Sequence, residues 1–501
     1  MEISINALIE RADDFLTRRA TVCWRRAAGI ERGDGLAALH ADALELSRLE
    51  SFIAVKELVE SPRVDETRRA RLRLFHAFLG QCLVEARAAE HGDGLDELLR
   101  THPLTSAGRR WTLGEALRET PHQAQREARD HLEHDAAAAL WDQQSLFARR
   151  ADVTLHAAAE LGFANAEALV GFLHGRPLEP RLQAAATLLA GTADAYRDLL
   201  GYALKRLDAQ LKPQVARLHD AQRAVTAPWL FELLRKEDLQ HAVTRMLGDL
   251  GLHPSANGRI AIDSEARAGR EPGAHRFDIA VPDSIRLLLE AGPGFEAWAG
   301  WLAAWGTAQS RANVARTLPF VERALGDTTV VSAVGRLFES LLGDAGWLMR
   351  YARLTSAQAR ETARLFAFRQ LYELRREAAL LSVSSELLAR GPVRPLAEDY
   401  VSRLSAALMV EVPRGRFLHD TSPLAAHALA LDAAALEAPL RAHLLERFNE
   451  DWWRNPAAGR WLVDFSSKGL RDDAPAVAKA YGAETLDVAA AGRHLMAVMG
   501  A

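Results

Sequence analysis

One stretch of this chain, Leu252 to Glu290, is patterned for strands, and helical patterning lies on both sides of it. That limits the fold to a mainly helical body with one small sheet. Gly258-Arg259-Ile260-Ala261-Ile262-Asp263 is short and β-like, and Ala268-Gly269-Arg270-Glu271-Pro272-Gly273 turns the chain. Arg276 to Pro282 then alternates apolar and polar residues, and Ser284-Ile285-Arg286-Leu287-Leu288-Leu289 supplies the next strand. The reading is a small antiparallel sheet over about 258–290. After Gly292-Pro293-Gly294 the helical pattern resumes almost to the end.

The helical reading rests on composition as well as spacing. The apolar residues are mostly Ala and Leu, with many Arg and Glu and only 6 Tyr, a bias that favours helix over strand. Leu189, Ala193, Tyr196, Leu200, Leu204, Leu207 and Leu211 recur at three, four and seven, which places them along one helical face. Gly33-Asp34-Gly35, Ser61-Pro62, Gly92-Asp93-Gly94 and Gly175-Arg176-Pro177 punctuate the first half as breakers. Between Leu104 and Glu115, Ser106 and Thr112 are candidate helix caps. Thr112 is the better one, since Glu115 completes a capping box. No repeat of fixed period and no low-complexity tail occurs.

With 501 residues, the chain has room for two or three domains, or for one large helical body with a cleft. The division expected is a helical lobe over 1–210 and a second lobe over 211–501. A net charge of −4 with Lys and Arg spread along the chain gives no footprint for nucleic acid. Arg18-Arg19 and Arg149-Arg150 read as solvated helix faces. Cys23 and Cys82 lie in helical patterns without Cys-x-x-Cys spacing, so a disulfide framework is not expected and a reducing compartment fits. The start, Met1-Glu2-Ile3-Ser4-Ile5, lacks the order of a signal peptide, and no apolar run is long enough to span a bilayer. The expectation is a cytoplasmic protein with no membrane partner.

Four segments in the second half, in shared order, carry a resemblance. They are Asp283 to Leu289 leading through Pro293-Gly294-Phe295, then Ala312-Asn313-Val314 with Leu318-Pro319-Phe320 and Leu325-Gly326-Asp327. Next come Leu337-Phe338-Glu339-Ser340-Leu341-Leu342 with Trp347-Leu348, and finally Leu440 to Pro456 around Trp452-Trp453. A short sheet, a Gly-Pro turn and then a helix resemble the way the thimet oligopeptidase and oligoendopeptidase F superfamily presents its zinc helix. The first half resembles that group only in helical texture. The resemblance implies a multi-helical metallopeptidase-like body with the small sheet beside a central cleft, and a degenerate zinc helix at about 295–311.

A zinc hydrolase of this kind needs two His one turn apart and a Glu beside the first. In the frame of the resemblance, Trp301-Leu302-Ala303-Ala304-Trp305-Gly306-Thr307 puts Ala303 and Thr307 in place of the two His, and Ala304 in place of the Glu. The family's third ligand, a Glu on the following helix, falls on Ser332 within Val330 to Val334. The family's substrate-holding His and Tyr residues fall near Leu424 to Ala430. That stretch retains His427 but has Ala426 and Ala430 where tyrosines are expected. The resemblance therefore implies a scaffold without a catalytic residue set, and neither metal nor other cofactor is expected.

Other clusters carry residue types with chemistry of their own. Asp130-His131-Leu132-Glu133-His134-Asp135 is the densest set of potential ligands, yet it reads first as a charged, solvated helix face. His275 and Asp278, with Arg276, lie on the expected sheet as candidate peptide contacts, or as ordinary polar residues of a surface strand. Trp298, Trp301 and Trp305 fall at i, i+3 and i+7. That stripe fills the former metal cavity as core, or else Trp298 and Trp305 wall a binding pocket. Gly292-Pro293-Gly294 is not a dinucleotide loop, no Gly-x-Ser-x-Gly elbow occurs, and Ser466-Ser467-Lys468 lacks partners for a nucleophile. Cys82 reads as a buried thiol.

The expected function is a catalytically inactive metallopeptidase-like protein that holds a peptide or protein segment in its cleft, or pairs with an active homologue and regulates it. The alternatives are an enzyme of another class reusing the cleft on a peptide or small molecule, and a peptidase whose metal site lies elsewhere, for instance at His131 and His134.

Overall fold

The computed structural model describes residues 4–30 and 35–500. The expected breaker at Gly33-Asp34 and the start Met1 to Ile3 lie outside these residues. Among the described residues the fold is mainly α-helical with two small sheets, and no helix of theirs is long and apolar enough to cross a membrane.

A hairpin, β1 (Pro103–Ser106) and β2 (Arg109–Thr112), pairs antiparallel through a turn in which Ala107 and Gly108 both have positive φ. The sequence reading had no strand here, and Ser106 is a strand residue rather than a cap. Thr112 does cap the helix that follows. Its hydroxyl accepts from the Glu115 amide at 3.2 Å, and the Glu115 carboxylate accepts from the Thr112 amide at 2.7 Å.

The second sheet contains β3 (Ile260–Asp263), β4 (Ala274–Ala280) and β5 (Ser284–Leu289) in the order β3-β5-β4. It is mixed rather than wholly antiparallel. The tight turn between β4 and β5 makes that pair antiparallel, with Ala274 opposite Leu289, while β3 runs parallel to β5, with Ile260 opposite Ile285. As the middle strand, β5 is buried on both faces. Ile285, Leu287 and Leu289 enter the main core, and Leu288 packs on Ala27 and Ala28 from the other side. This explains the near-continuous apolar run of the segment.

Helix ends depart from the expected breakers in two places. Gly92-Asp93-Gly94 lies inside one long helix, Glu66–Thr101. There Asp93 accepts from the amides of Leu36 and Ala37 at 3.0 and 2.9 Å, capping another helix instead of ending its own. The Leu189 to Leu211 pattern spans two helices, Glu179–Gly191 and Ala193–Leu207, because the chain breaks at Thr192. Ser61 and Gly175-Arg176-Pro177 do terminate helices.

Two large apolar clusters fill the interior. One gathers the N-terminal helices together with residues 367–435 and the C-terminal helix. The other gathers the sheet, the Gly294–Ala312 helix and the segments around Trp347, Trp452 and Phe465. The helices Ser356–Arg390 and Ala426–Phe448 feed both clusters. The lobes expected at 1–210 and 211–501 are thus joined through a core that both supply.

Candidate functional site

The Gly294–Ala312 helix matches the expected span of the degenerate zinc helix to within a residue. Gly294 enters it at φ 78°, and a Cβ there would lie 2.5 Å from the Phe231 ring, so only glycine fits. Trp298, Trp301 and Trp305 all turn into the apolar cluster that also holds Ala304. Trp298 meets Trp347 edge to face, with ring centroids 6.3 Å apart. Trp301 Nε1 donates to the Glu290 carbonyl at 2.8 Å. Trp298 and Trp305, read from sequence as walls of a pocket or as core, are core: both are at most 2% exposed. Apolar burial outweighs their two indole N–H groups, which have no acceptor among the described residues.

Ala303 and Thr307 are half-buried and face the Thr329–Glu339 helix. Gly335 lies against them. A Cβ on Gly335 would come 2.7 Å from the Thr307 methyl and 3.4 Å from the Ala303 carbonyl oxygen. Thr307 Oγ1 donates back to the Ala304 carbonyl at 3.0 Å. Ser332, about one turn before Gly335, is exposed. These residues do not fit a zinc ion: two carry no donor atom in the side chain, and the hydroxyls of the other two are poor ligands without His or carboxylate beside them. Among the described residues, no three His, Cys, Asp or Glu side chains cluster as metal ligands. His131 and His134 are exposed on their helix, as the solvated-face reading expects, whereas Glu133 between them is buried.

On the sheet, His275 Nε2 meets the Pro272 carbonyl at 2.8 Å, which closes the turn before β4. Asp278 accepts from Arg311 Nε at 3.0 Å and pairs with Arg276 at 2.9 Å. Arg311 is a buried cation on the tryptophan helix, so Asp278 balances its charge and locks sheet to helix. Both side chains are therefore engaged within the fold.

The Ser356–Arg390 helix brings one set of polar groups into the interior. Arg369 pairs with Glu373 at 3.0 Å, and Glu377 contacts His427 Nδ1 at 2.7 Å. Burial opposes ionisation of Glu377, but the hydrogen bond and charge of His427 outweigh it and hold the carboxyl below its ordinary value. His427 Nε2 is buried without a partner among the described residues. Glu339, in the segment Leu337-Phe338-Glu339-Ser340, is pushed up to about 7 by burial and by the charge of Glu373. Of these groups, sequence reasoning found only His427. The others carried a signal in the i, i+4 spacing of Arg369 and Glu373 on one helical stripe.

No family model and no curated protein sequence matches the chain. Solved structures do match over nearly the whole length. A Pyrococcus furiosus carboxypeptidase superposes with TM-score 0.62 at 14% identity, covering 99% of this chain and 98% of its own. A PZ peptidase A bound to an inhibitor gives TM-score 0.68 at 12% identity, over 98% and 91% of the two chains. A Bacillus anthracis protein assigned as an oligoendopeptidase F gives 0.64 at 11%, over 97% and 88%. The chain has the mainly α-helical fold that these peptidases share.

Proposed function

We propose that this protein is a non-catalytic member of the peptidase fold that binds a peptide or protein segment, or pairs with an active homologue and regulates it. The single observation that carries the reading is the contact between the Gly294–Ala312 and Thr329–Glu339 helices. Where the resemblance puts two His ligands, Ala303 offers no donor and Thr307 turns its hydroxyl onto its own helix, with its methyl against Gly335. Ala304, in place of the water-activating Glu, belongs to the apolar core. Ser332, in place of the third ligand, offers a neutral hydroxyl. A shared fold carries no activity by itself, so the reading rests on this site.

The test is hydrolysis of internally quenched peptides by the purified, zinc-supplemented protein, with and without a chelator, alongside anisotropy titrations of a labelled peptide library. The expectation is saturable peptide binding without chelator-sensitive turnover. Turnover abolished by the chelator would overturn the non-catalytic reading. Absence of binding to every peptide, together with failure to bind an active homologue, would overturn the binding reading.

An enzyme of another class is favoured by one observation, the raised carboxyl of Glu339 near Glu373 in the same interior as the His427–Glu377 pair. A group poised near 7 suits proton transfer. Turnover of any substrate that is insensitive to chelator and lost in Glu339→Gln would select this reading.

A further inference from the structure

A cavity of about 920 Å³ opens at the junction of the Ser356–Arg390, Ala426–Phe448 and Val488–Gly500 helices with the segments around residues 340–350 and 450–454. No residue of the tryptophan helix lines it. Its volume falls in the range of small-molecule sites, about 300–1,000 Å³. The wall is largely apolar, with Leu341, Ala367, Leu374, Leu495 and Val498. Met349 and Leu445 also line it and are 43% and 38% exposed, among the few large apolar side chains open to solvent.

The polar groups of this cavity are mostly satisfied by one another. Glu437 Oε1 accepts from Ser340 Oγ at 3.1 Å and from Arg441 Nε at 2.8 Å. Arg441 also donates to His494 Nε2, which leaves that nitrogen an acceptor and the ring neutral. Of the three other acidic groups of the lining, Glu450 is exposed, and Asp344 and Asp451 are likewise engaged. Asp344 accepts from Trp453 Nε1 at 3.0 Å, and Asp451 is paired with Arg454. The exceptions among the cations are Arg245, exposed and set over the Tyr351 ring, and the more buried Arg336. Its guanidinium lines the cavity, half-buried, and makes no hydrogen bond or ion pair among the described residues. The charge it feels is that of Glu339, whose carboxyl is itself raised to about 7 and so carries only part of a charge at neutral pH. A guanidinium that lines a cavity with five donors and no protein acceptor is open to an anion there.

We propose that this cavity binds an organic monocarboxylate with an extended apolar body, its carboxylate held by the planar fork of Arg336 and its body lying along the apolar wall toward Met349 and Leu445. A guanidinium matches a carboxylate through two parallel N–H donations. One half-buried unpartnered cation, with Arg245 exposed and Glu437 also lining the cavity, favours a single negative charge over a dianion. The site shares the Thr329–Glu339 helix with positions discussed above but takes none of the four degenerate positions into its lining, and it stands whether or not peptides bind.

The experiment is isothermal titration of the full chain with octanoate, its neutral analogue octanamide, and octyl phosphate. Octanoate should bind once per chain, with the amide and the phosphate each weaker by roughly tenfold or more, which is about 1.4 kcal/mol. Arg336→Gln should weaken octanoate by about tenfold and leave octanamide within about threefold. Met349→Asp, at an exposed position that does not test folding, should also weaken octanoate by like-charge repulsion at the mouth. Three results would overturn the assignment: no saturable octanoate binding below about 1 mM, equal affinity for octanoate and octanamide, or octanoate affinity unchanged in Arg336→Gln. Tighter binding of octyl phosphate would overturn the choice of carboxylate. Should Arg336→Gln fail to fold by circular dichroism, the amide comparison and Met349→Asp still decide.

Discussion

The ring of Trp305 lies in the same apolar cluster as Ala304, Phe338 and Trp452, so its contribution is packing. Trp305→Ala should cost roughly 3–5 kcal/mol of stability, read as a lowered urea midpoint at unchanged slope. A residue that only walled a ligand pocket would leave the midpoint within about 0.5 kcal/mol of the parent. Asp420 argues the same point for charge. Its carboxylate accepts from Tyr400 Oη at 2.8 Å and from Arg416 at 3.1 Å, and it is almost wholly buried. Burial alone would raise this carboxyl, but the Arg416 charge and the His419 hydrogen bond outweigh it and hold it well below the ordinary range. Asp420→Asn strands the buried cation and should destabilise by roughly 3–5 kcal/mol in the same measurement. A loss below about 1 kcal/mol would mean that water or another carboxylate already balances Arg416.

At the scale of elements, the contact between the Gly294–Ala312 and Thr329–Glu339 helices can be tested by filling it. Gly335→Ala puts a Cβ 2.7 Å from the Thr307 methyl, so one helix must shift, at a cost of about 1–3 kcal/mol. Thr307→Ser removes that methyl and keeps the hydroxyl. The double variant should therefore recover most of the loss, with a coupling energy of about 1 kcal/mol in a double-mutant cycle. Additive effects would mean that Ala303 and Thr307 face elsewhere. Much of this element was legible beforehand, because the Gly-Pro turn, the tryptophan stripe and the strand-like stretch are local patterns that depend on a few adjacent residues. The misreadings share a cause of the opposite kind. Gly92-Asp93-Gly94 continues a helix because Asp93 caps a helix 56 to 57 residues earlier in the chain. The parallel pairing of β3 with β5, which jumps over β4, is likewise non-local. Arg336 was not singled out either, since a lone arginine in an amphipathic helix carries no sign that its surroundings withhold a partner.

For the whole molecule, the helix Arg126–Asp142 is joined to distant chain by a buried polar network in which Glu133 and His219 are both raised. Glu133 accepts from the His219 amide at 3.0 Å, next to the Asp220 carboxylate that takes Arg126 and Arg129 at 3.0 and 3.1 Å. Burial pushes the Glu133 carboxyl up to about 7, against 4.5 ordinarily. Between these values the folded chain holds a proton that the unfolded chain has released. Stability therefore falls as pH rises through the window from about 4.5 to 7 and levels off above it. His219 acts in the same sense, because its Asp220 hydrogen bond and the Glu133 charge outweigh burial and raise it, whereas a histidine buried among apolar rings acts in the opposite one. His76, between the rings of Phe52 and Phe172, is lowered to about 4 by burial, so its contribution is lost as pH falls from 6.5. The two trends overlap in the parent and are separated by a difference measurement. Glu133→Gln keeps an acceptor for the His219 amide and removes the titration, while His76 is common to both proteins. The stability of Glu133→Gln relative to the parent should rise between pH 5 and 8 by an amount on the order of 3 kcal/mol, read from urea midpoints at matched ionic strength. A difference that stays flat across that range would mean that Glu133 is ionised throughout, and that the charges of His219 and Arg416 rather than burial govern this junction.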